Sequence, residues 1–293
     1  MAIEFEGRVA IVTGAGGGLG RLHALALAAR GAKVLVNDLG GAVDGSGGSA
    51  TAAQAVVDEI RAAGGQALAN GASVTDFEAV QAMVQQAVDA WGRVDILVNN
   101  AGILRDKSLA KLEEADWDRV LQVNLKSLFC TTKPVFAWMK DNGGGVIVNT
   151  SSTSGLIGNF GQTNYAASKA GVWGFTNVLA LEGAKFGIRA WTLAPTATSA
   201  LTAPLMTEEM QQQLAPEHVA HAALYMVSEL SGKRTGHTLF VSGHSIRELK
   251  LVSAEGIPGP AYQKGVVTAQ AIAAAEDKIF RPEPTLTIMD FAR

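Results

Sequence analysis

A glycine-rich run, TGAGGGLG at residues 13–20, lies between a short apolar segment at 9–12 and a helical pattern at 21–30. Glycine there permits the positive φ of a tight turn and a close approach of the backbone to a pyrophosphate. The helix that follows presents unpaired N–H groups and the positive end of its dipole to the same anion. This context favours a dinucleotide-binding turn over an ordinary glycine-rich loop. Its candidate contacts are Gly14, Gly18, Leu19 and Gly20.

The alternation of strand and helix continues along the chain. Pro134 lies inside the longest predicted helix and predicts a kink or an internal boundary. Strands that are apolar on both faces, with a helix between each pair, predict an α/β fold. We expect one Rossmann-like, doubly wound parallel sheet of about seven strands with helices on both faces and a C-terminal appendage. The further strands are predicted at 34–36, 66–69, 94–98, 146–148, 188–193 and 238–241, and the further helices at 51–63, 76–91, 116–139, 164–185 and 216–229.

Domain organisation follows from the same pattern. The length of 293 residues by itself suggests two domains, at roughly 150 residues each. The alternation instead makes residues 1–245 one dinucleotide-binding and catalytic domain. Residues 246–293 contain proline–glycine runs and one predicted helix at 268–279, so we expect an extension and not an independent domain. The glycine-rich segment 40–49 is expected to be a mobile surface loop.

Composition excludes several classes of protein. Hydrophobic residues make up 48% and charged residues 17%, which suffices for a sizeable core, and the net charge of −3 argues against binding to nucleic acid or anionic lipid. The sequence has no run of about 20 apolar residues and no secretory signal pattern, and its single cysteine cannot form an intrachain disulfide. We therefore expect a cytoplasmic protein. His218 and His221 lack a third ligand, so no metal site is expected.

Asp38 follows the second predicted strand. A carboxylate at that position can accept hydrogen bonds from both hydroxyls of an adenosine ribose and would repel a 2′-phosphate. The neighbouring positions Gly17 and Leu39 offer no cation, so NAD is favoured over NADP. A loop-capping aspartate is the alternative interpretation.

Tyr165 and Lys169 are four residues apart and share one face of the helix predicted at 164–185. Hydride transfer at a carbinol carbon requires a proton to leave or reach its oxygen. Tyrosine has a reference pKa near 10, and an ammonium one turn away stabilises the phenolate and lowers that pKa. Ser152 follows the fifth strand, where its hydroxyl could hold the substrate oxygen. Alone, the tyrosine and lysine would be an ordinary surface pair; the nucleotide turn favours the catalytic interpretation.

Together these motifs resemble the short-chain dehydrogenase/reductase family from about residue 6 to 243. The resemblance implies an NAD-dependent enzyme that interconverts a secondary alcohol and a ketone. It makes Tyr165 the general acid and base, Ser152 the group that positions the substrate, Lys169 a second contact to the nicotinamide ribose, and Asn124 the holder of a water in a proton relay. The cofactor positions that it implies are Gly14, Gly18, Leu19, Gly20, Asp38, Ser73, Val74, Asn100, Ala101, Gly102, Tyr165, Lys169, Pro195 and Thr198.

Three stretches carry a narrower resemblance: NDLGG at 37–41, AGILRD at 101–106 and GNFGQ at 158–162. They resemble the (3R)-hydroxyacyl-CoA dehydrogenase units of type 2 peroxisomal multifunctional enzymes, which implies a 3-hydroxyacyl-CoA substrate. A hydroxysteroid or another apolar secondary alcohol is the alternative, and a non-catalytic NAD-binding sensor or scaffold is the alternative of another class. Residues 196–214 would form the substrate loop and helix. Relatives pair through their two long helices, so a homodimer or homotetramer is expected.

Overall fold

The computed structural model of the chain describes residues 3–49, 51–197, 207–254, 256–257 and 267–280. Thr198, one of the expected cofactor positions, and residues 199–206 of the expected substrate loop lie outside these ranges.

Eight strands form one sheet in the order β3-β2-β1-β4-β5-β6-β7-β8. The first seven are parallel, as predicted, and β8 is an additional strand that runs antiparallel to β7. The chain moves outward from β1 to β3 and then outward from β4 to β8, so the strand order reverses between β1 and β4. Ligands of open α/β sheets bind beyond the carboxyl ends of the strands at such a point. The strands are β1 Val9–Thr13, β2 Lys33–Asn37, β3 Gln66–Asn70, β4 Ile96–Asn99, β5 Gly145–Thr150, β6 Ile188–Thr196, β7 His237–Ser242 and β8 Ser245–Leu249.

The strands are apolar on both faces because helices cover both sides of the sheet. Alternate residues of β1 belong to two separate hydrophobic cores: Ala10 and Val12 to one, Val9 and Ile11 to the other. Helices α1, α2 and α9 pack on the first face, and α3, α5 and α7 on the second. The helices are α1 Gly18–Ala28, α2 Thr51–Ala62, α3 Phe77–Trp91, α4 Glu114–Leu121, α5 Ser127–Asp141, α6 Ser154–Ile157, α7 Thr163–Gly183, α8 Glu208–Gln213, α9 Glu217–Val227, α10 Ala269–Ala273 and α11 Glu276–Ile279.

The helix predicted at 116–139 is interrupted before it reaches Pro134. A π-helical turn, Gln122–Lys126, separates α4 from α5, and Asn124 lies in the middle of it. Helix α5 continues through Pro134, so the internal boundary that was one of the two expectations is not there, and the kink stays a prediction. Val135 and Met139 are fully buried on α5, and burial of this face outweighs the hydrogen bond that proline cannot make.

The segment 40–49 is largely exposed, as expected of a surface loop, and it is hydrogen-bonded to the segment after β4, while its mobility stays a prediction. The amide of Leu104 donates to the carbonyl of Val43 at 3.1 Å, and Arg105 Nε donates to the carbonyl of Asp44 at 2.8 Å. The glycines of the loop are a local sequence signal. The residues that bond to the loop lie some 60 positions later in the chain, so no local sequence pattern predicts these hydrogen bonds. The loop thus ties the end of β2 to the segment after β4.

Strand β8 crosses the expected boundary between residues 245 and 246, so the first residues of the expected extension belong to the sheet, and the helix predicted at 268–279 is two short helices, α10 and α11. No helix in the described part of the chain combines the length and the apolar character needed to cross a bilayer.

Candidate active site

The glycine turn after β1 is interlocked with the segment after β4. Gly14 has φ +62°, and a Cβ built on it would lie 2.7 Å from the Cα of Ala101. A Cβ on Gly20 would lie 2.1 Å from the carbonyl oxygen of Gly14. The Asn100 side chain donates to the carbonyls of Thr13 at 3.1 Å and Gly14 at 3.0 Å. Glycine at 14 and 20 and asparagine at 100 are therefore required by the backbone geometry of the turn itself.

The start of helix α1 is suited to an anion. Gly17 precedes the helix without a capping side chain, and no acidic residue lies in the first turn. A Cβ at Gly17 or Gly18 would meet no other atom within 4 Å, and Gly18 has φ +49°. Leu19, in the same turn, is half-buried against the core. The residues present fit a pyrophosphate at this helix N-terminus.

Asp38 lies just beyond β2 and is half-buried. Its Oδ2 accepts from the amide of Gly16 at 2.7 Å, and its Oδ1 accepts from the amide of Gly40 at 2.6 Å. The loop-capping interpretation is thus realised in the structure. It does not exclude a ribose contact, because each carboxylate oxygen can accept more than one hydrogen bond.

Further along the same edge of the sheet, the residues after β3 lie beside Asp38. The amide of Asp38 donates to the carbonyl of Asn70 at 3.0 Å. Ser73 Oγ and Thr75 Oγ1 are 2.9 Å apart in a hydrogen bond, and Val74 is buried. Pro195 lies at the end of β6, on the far side of β5. The structure therefore spreads the expected cofactor positions along the carboxyl edge from β3 to β6.

Ser152, Tyr165 and Lys169 come together beyond the end of β5. Tyr165 packs against a small apolar cluster and is hydrogen-bonded to Ser152. The Nζ of Lys169 is buried, lies 5.6 Å from the Tyr165 ring centroid and donates to the carbonyl of Thr150 at 2.7 Å. The lysine is thus fixed by the strand that ends just before Ser152, one helical turn from the phenol. The cluster against Tyr165 consists of Ile103, Val120 and Val123.

Burial controls the ionisation of both groups. It raises the pKa of Tyr165 to about 12, although the hydrogen bond with Ser152 acts in the opposite direction and the charge of Asp106 adds a small further rise. Burial also lowers the pKa of Lys169 to about 8. The pKa of Tyr165 is therefore shifted upward, opposite to the expected lowering, because the loss of hydration on burial is the largest influence on the phenol.

Asn124 is fully buried in the π-helical turn. Its Oδ1 accepts from the amide of Ile103 at 2.8 Å, and its Nδ2 donates to the carbonyl of Ile103 at 3.0 Å. A Cβ on Gly102 would lie in ordinary van der Waals contact with Asn124 Oδ1 at 3.4 Å and Lys169 Nζ at 3.7 Å, so the backbone at 102 runs beside both side chains. The asparagine holds the segment after β4 against the catalytic candidates. Its side chain is occupied by Ile103, and the water that it is expected to hold stays a prediction.

Several residues around Tyr165 escaped the sequence analysis. Asn164 is fully buried; its Oδ1 accepts from the amide of Tyr165 at 2.8 Å, and its Nδ2 donates to the carbonyl of Arg105 at 3.1 Å. Gln162 Nε2 donates to Asp106 Oδ2 at 2.6 Å. Three of these four, Arg105, Asp106 and Gln162, belong to the stretches that carried the narrower resemblance. That resemblance was the one available signal for them.

The histidines are the candidates for a metal centre that the sequence offers. Within the described residues, no group of three His, Cys, Asp or Glu side chains is placed to hold an ion. The rings of His218 and His244 are in edge contact, 4.4 Å between centroids, and His237 is hydrogen-bonded to Glu248 at 2.6 Å. His23 is buried between α1 and α9.

Comparison with known proteins agrees with this geometry. The short chain dehydrogenase family matches residues 8–215. Mouse peroxisomal multifunctional enzyme type 2 is 48% identical over 227 residues, which is 78% of this chain but 30% of that enzyme. Acetoacetyl-CoA reductase from an Acinetobacter species is 47% identical over 178 residues, 57% of this chain and 71% of the reductase.

Two solved structures are also similar. A short chain dehydrogenase from Mycobacterium avium has a TM-score of 0.82 and 41% identity, with 97% of this chain and 99% of that one covered. A 7α-hydroxysteroid dehydrogenase in complex with NADH and 7-oxo glycochenodeoxycholic acid has a TM-score of 0.75 and 34% identity, with 84% and 97% covered.

Proposed function

This chain belongs to the short-chain dehydrogenase family of oxidoreductases, and we propose that it interconverts a secondary alcohol and a ketone with NAD, using Tyr165 as general acid and base. The observation that carries the proposal is the convergence of Ser152, Tyr165 and Lys169 at the carboxyl edge of the sheet. That edge also holds the glycine turn and Asp38. When bound, the nicotinamide supplies or accepts the hydride.

Tyr165 would exchange the proton of the carbinol. In the oxidation its phenolate takes the hydroxyl proton, and in the reduction its phenol returns one to the carbonyl oxygen. Ser152, already hydrogen-bonded to Tyr165, would hold the same substrate oxygen. Lys169 would stabilise the phenolate and bind the nicotinamide ribose, since its Nζ has donors beyond the one given to Thr150.

NAD is favoured over NADP by Asp38. A 2′-phosphate at the ribose would meet the negative carboxylate at the end of β2. Neither Gly17 nor Leu39 provides a compensating cation. The similar hydroxysteroid dehydrogenase structure contains NADH, which supports the same choice.

A 3-hydroxyacyl-CoA is the substrate that we propose. The name of the acetoacetyl-CoA reductase relative states a 3-oxoacyl thioester, and three stretches of this chain resemble (3R)-hydroxyacyl-CoA dehydrogenase units. Exposed apolar side chains of Leu109 and Phe160 flank the segments that enclose Tyr165, which suits an acyl chain. A hydroxysteroid is the second candidate, favoured by the similarity to a dehydrogenase bound to a bile acid.

The purified protein tests these proposals when offered (3R)-hydroxyacyl-CoAs, 3-oxoacyl-CoAs and hydroxysteroids with NAD or NADP. We expect the NADH absorbance band to change with the thioesters. Tyr165→Phe should bind NAD as the wild type does while losing turnover by about a thousandfold or more, since general acid–base catalysis contributes that order. Substantial residual turnover of this variant would contradict the role of the tyrosine. Binding of NAD without any turnover by the wild type would favour the sensor or scaffold.

Self-association is proposed from the outer surfaces of α5 and α7. Phe129 on α5 is 49% exposed, and Val178 and Leu181 on α7 are 54% and 80% exposed. Apolar side chains on two long helices suit a symmetric interface. Light scattering should give a dimer or tetramer, and Leu181→Glu should shift the population towards monomer; a monomeric wild type would contradict the proposal.

A further inference from the structure

Two segments enclose the proposed catalytic pair and are bonded to each other. One follows β4 and contains Asp106; the other joins β5 to α7 and contains Gln162. Gln162 Nε2 donates to Asp106 Oδ2 at 2.6 Å across 56 positions of sequence. The backbones of Lys107 and Gln162 also form an isolated parallel bridge. The proton and hydride transfers proposed above use neither Asp106 nor Gln162.

The amide of Gln162 is engaged at both ends. Its Oε1 accepts from Ser154 Oγ at 2.8 Å and from Asn159 Nδ2 at 3.1 Å. A carboxylate can only accept hydrogen bonds, so the nitrogen end of the amide must face Asp106 and the oxygen end must face Ser154. The chemistry of the partners therefore fixes one orientation of the glutamine.

Ser154 passes this constraint to the catalytic serine. It is buried, 4% exposed, and begins the short helix α6. Its amide donates to Ser152 Oγ at 3.2 Å. The amide of Ser154 occupies one acceptor site of the Ser152 hydroxyl. The other lone pair and the proton of that hydroxyl are left for the hydrogen bond with Tyr165.

We propose that Asp106 and Gln162 form a positioning clamp that fixes the Ser152 hydroxyl relative to Tyr165. The proposal rests on the proposed function, because it assigns the clamp to the alignment of those two groups. The clamp holds the segment after β4 to the segment after β5. It needs both the Nε2 of Gln162, which bonds to Asp106, and the Oε1, which bonds to Ser154. Asp106 and Gln162 are positioning residues: neither contacts the hydride or the proton that is transferred.

An exchange of the two partners tests the clamp. Gln162→Glu places two carboxylates against each other without a donor between them, so kcat should fall about 10- to 100-fold, as for a lost hydrogen bond to a charged group. The double variant Asp106→Asn/Gln162→Glu restores one donor and one acceptor, and the carboxylate introduced at position 162 can still accept from Ser154. Its kcat should recover at least several-fold relative to Gln162→Glu alone.

The matched control is Gln85→Glu. Gln85 Nε2 donates to Asp89 Oδ1 at 2.7 Å on the outer surface of α3, so this substitution creates the same pair of carboxylates away from the site. It should leave kcat unchanged. The dissociation constant for NAD should stay within about twofold of the wild-type value in all variants, since none touches a proposed cofactor contact.

Three outcomes separate the hypotheses. A wild-type protein that turns over no alcohol or ketone refutes the proposed function and the clamp with it. Wild-type turnover with an unimpaired Gln162→Glu variant refutes the clamp alone. A double variant as impaired as Gln162→Glu, with NAD binding retained, also refutes the clamp, because the hydrogen-bond exchange would then not be what aligns Ser152.

Discussion

The ammonium of Lys169 lies over the Tyr165 ring, 5.6 Å from its centroid. Burial raises the pKa of the phenol to about 12 and lowers the pKa of the lysine to about 8, so it favours the neutral form of both groups. A negative charge on the phenol and a positive charge on the lysine would each reduce the cost of the other in this water-poor site. The two residues therefore form a unit whose charge state responds to pH.

Binding of NAD should weaken as the pH rises through about 8. The pKa of Lys169 is lowered to about 8 by burial, so the ammonium is present below that pH and is lost above it. If the ammonium holds the ribose, the dissociation constant should be constant below a pH of about 8 and rise by up to about tenfold per pH unit above it. Fluorescence titration with NAD across this range measures the effect.

Lys169→Met should bind NAD weakly at every pH, without the inflection near 8. Lys140→Met, which removes a lysine from the far end of α5, should keep the inflection. A wild-type dissociation constant that does not change up to a pH of about 10 would contradict this assignment.

Asp38→Ser should change the preference for the cofactor. The carboxylate would no longer accept from the ribose or repel a 2′-phosphate, so the dissociation constant for NAD should rise about tenfold or more while that for NADP falls. Asp44→Ser is the matched control, because Asp44 also caps a turn in the loop 40–49, through Ser46. An unchanged ratio of the two constants in Asp38→Ser would show that specificity lies elsewhere.

Arg105→Met should loosen the loop 40–49, which keeps its hydrogen bonds from the amide of Leu104 and from Arg119. Arg105 donates to the carbonyl of Asp44 at 2.8 Å and to Asp116 Oδ1 at 3.0 Å. Without these bonds we expect faster amide hydrogen exchange in the loop and an NAD affinity a few-fold weaker, since the loop continues from Asp38. Arg247→Met, on β8, is the control and should exchange like the wild type. Unaltered exchange at Ala42 and Gly45, whose amides are hydrogen-bonded within the loop, would count against the fastening role of Arg105.

His23 should make the protein sensitive to acid. The side chain is 1% exposed, and neither ring nitrogen has a hydrogen-bond partner among the described residues. Burial lowers its pKa from 6.5 to about 4, so below pH 6.5 the unfolded chain binds a proton that the folded chain does not. Folding stability should decrease as the pH falls from 6.5 to about 4, by about 3 kcal/mol in total.

His23→Leu should remove most of this pH dependence, because a hydrocarbon side chain of similar size cannot take up the proton. Urea denaturation at about pH 7.5 and about pH 5 gives the difference in unfolding free energy for each variant. The exposed His221→Leu is the matched control and should keep the wild-type difference. An equal loss of stability in His23→Leu and the wild type would exclude His23 as the source.

The parallel sheet was predictable because its signals are local. The strands at 9–13 and 96–99 are short, β-branched and buried on both faces, and the glycine turn leaves its mark in the order of residues along the chain. Helical spacing likewise placed Tyr165 and Lys169 on one face of α7. Each of these inferences uses only residues that are close to one another in the sequence, within one strand or within one or two turns of a helix.

What the sequence could not provide depends on contacts between distant segments. The bond between Asp106 and Gln162, the fastening of the loop 40–49 by Arg105 and the burial of His23 all join segments that the fold alone brings together. The raised pKa of Tyr165 belongs with them, because spacing along the helix reveals the nearby lysine but not the loss of water around the phenol. Strand β8 was missed because its residues are mostly exposed and lack the apolar pattern of a core strand.

The π-helical turn Gln122–Lys126 limits which changes of length this chain can tolerate. A π turn accommodates an additional residue within a helix, so deleting one residue there would restore regular α geometry. The flanking helices α4 and α5 would keep their orientation, but the residues of the turn would shift by one position, about 100° around the helix axis. The side chain of Asn124 would then no longer face the backbone of Ile103, to which it is hydrogen-bonded on both sides. Among descendants of this protein that keep the activity, single-residue deletions should be absent from this turn, while the exposed tip of the loop 40–49 can vary in length.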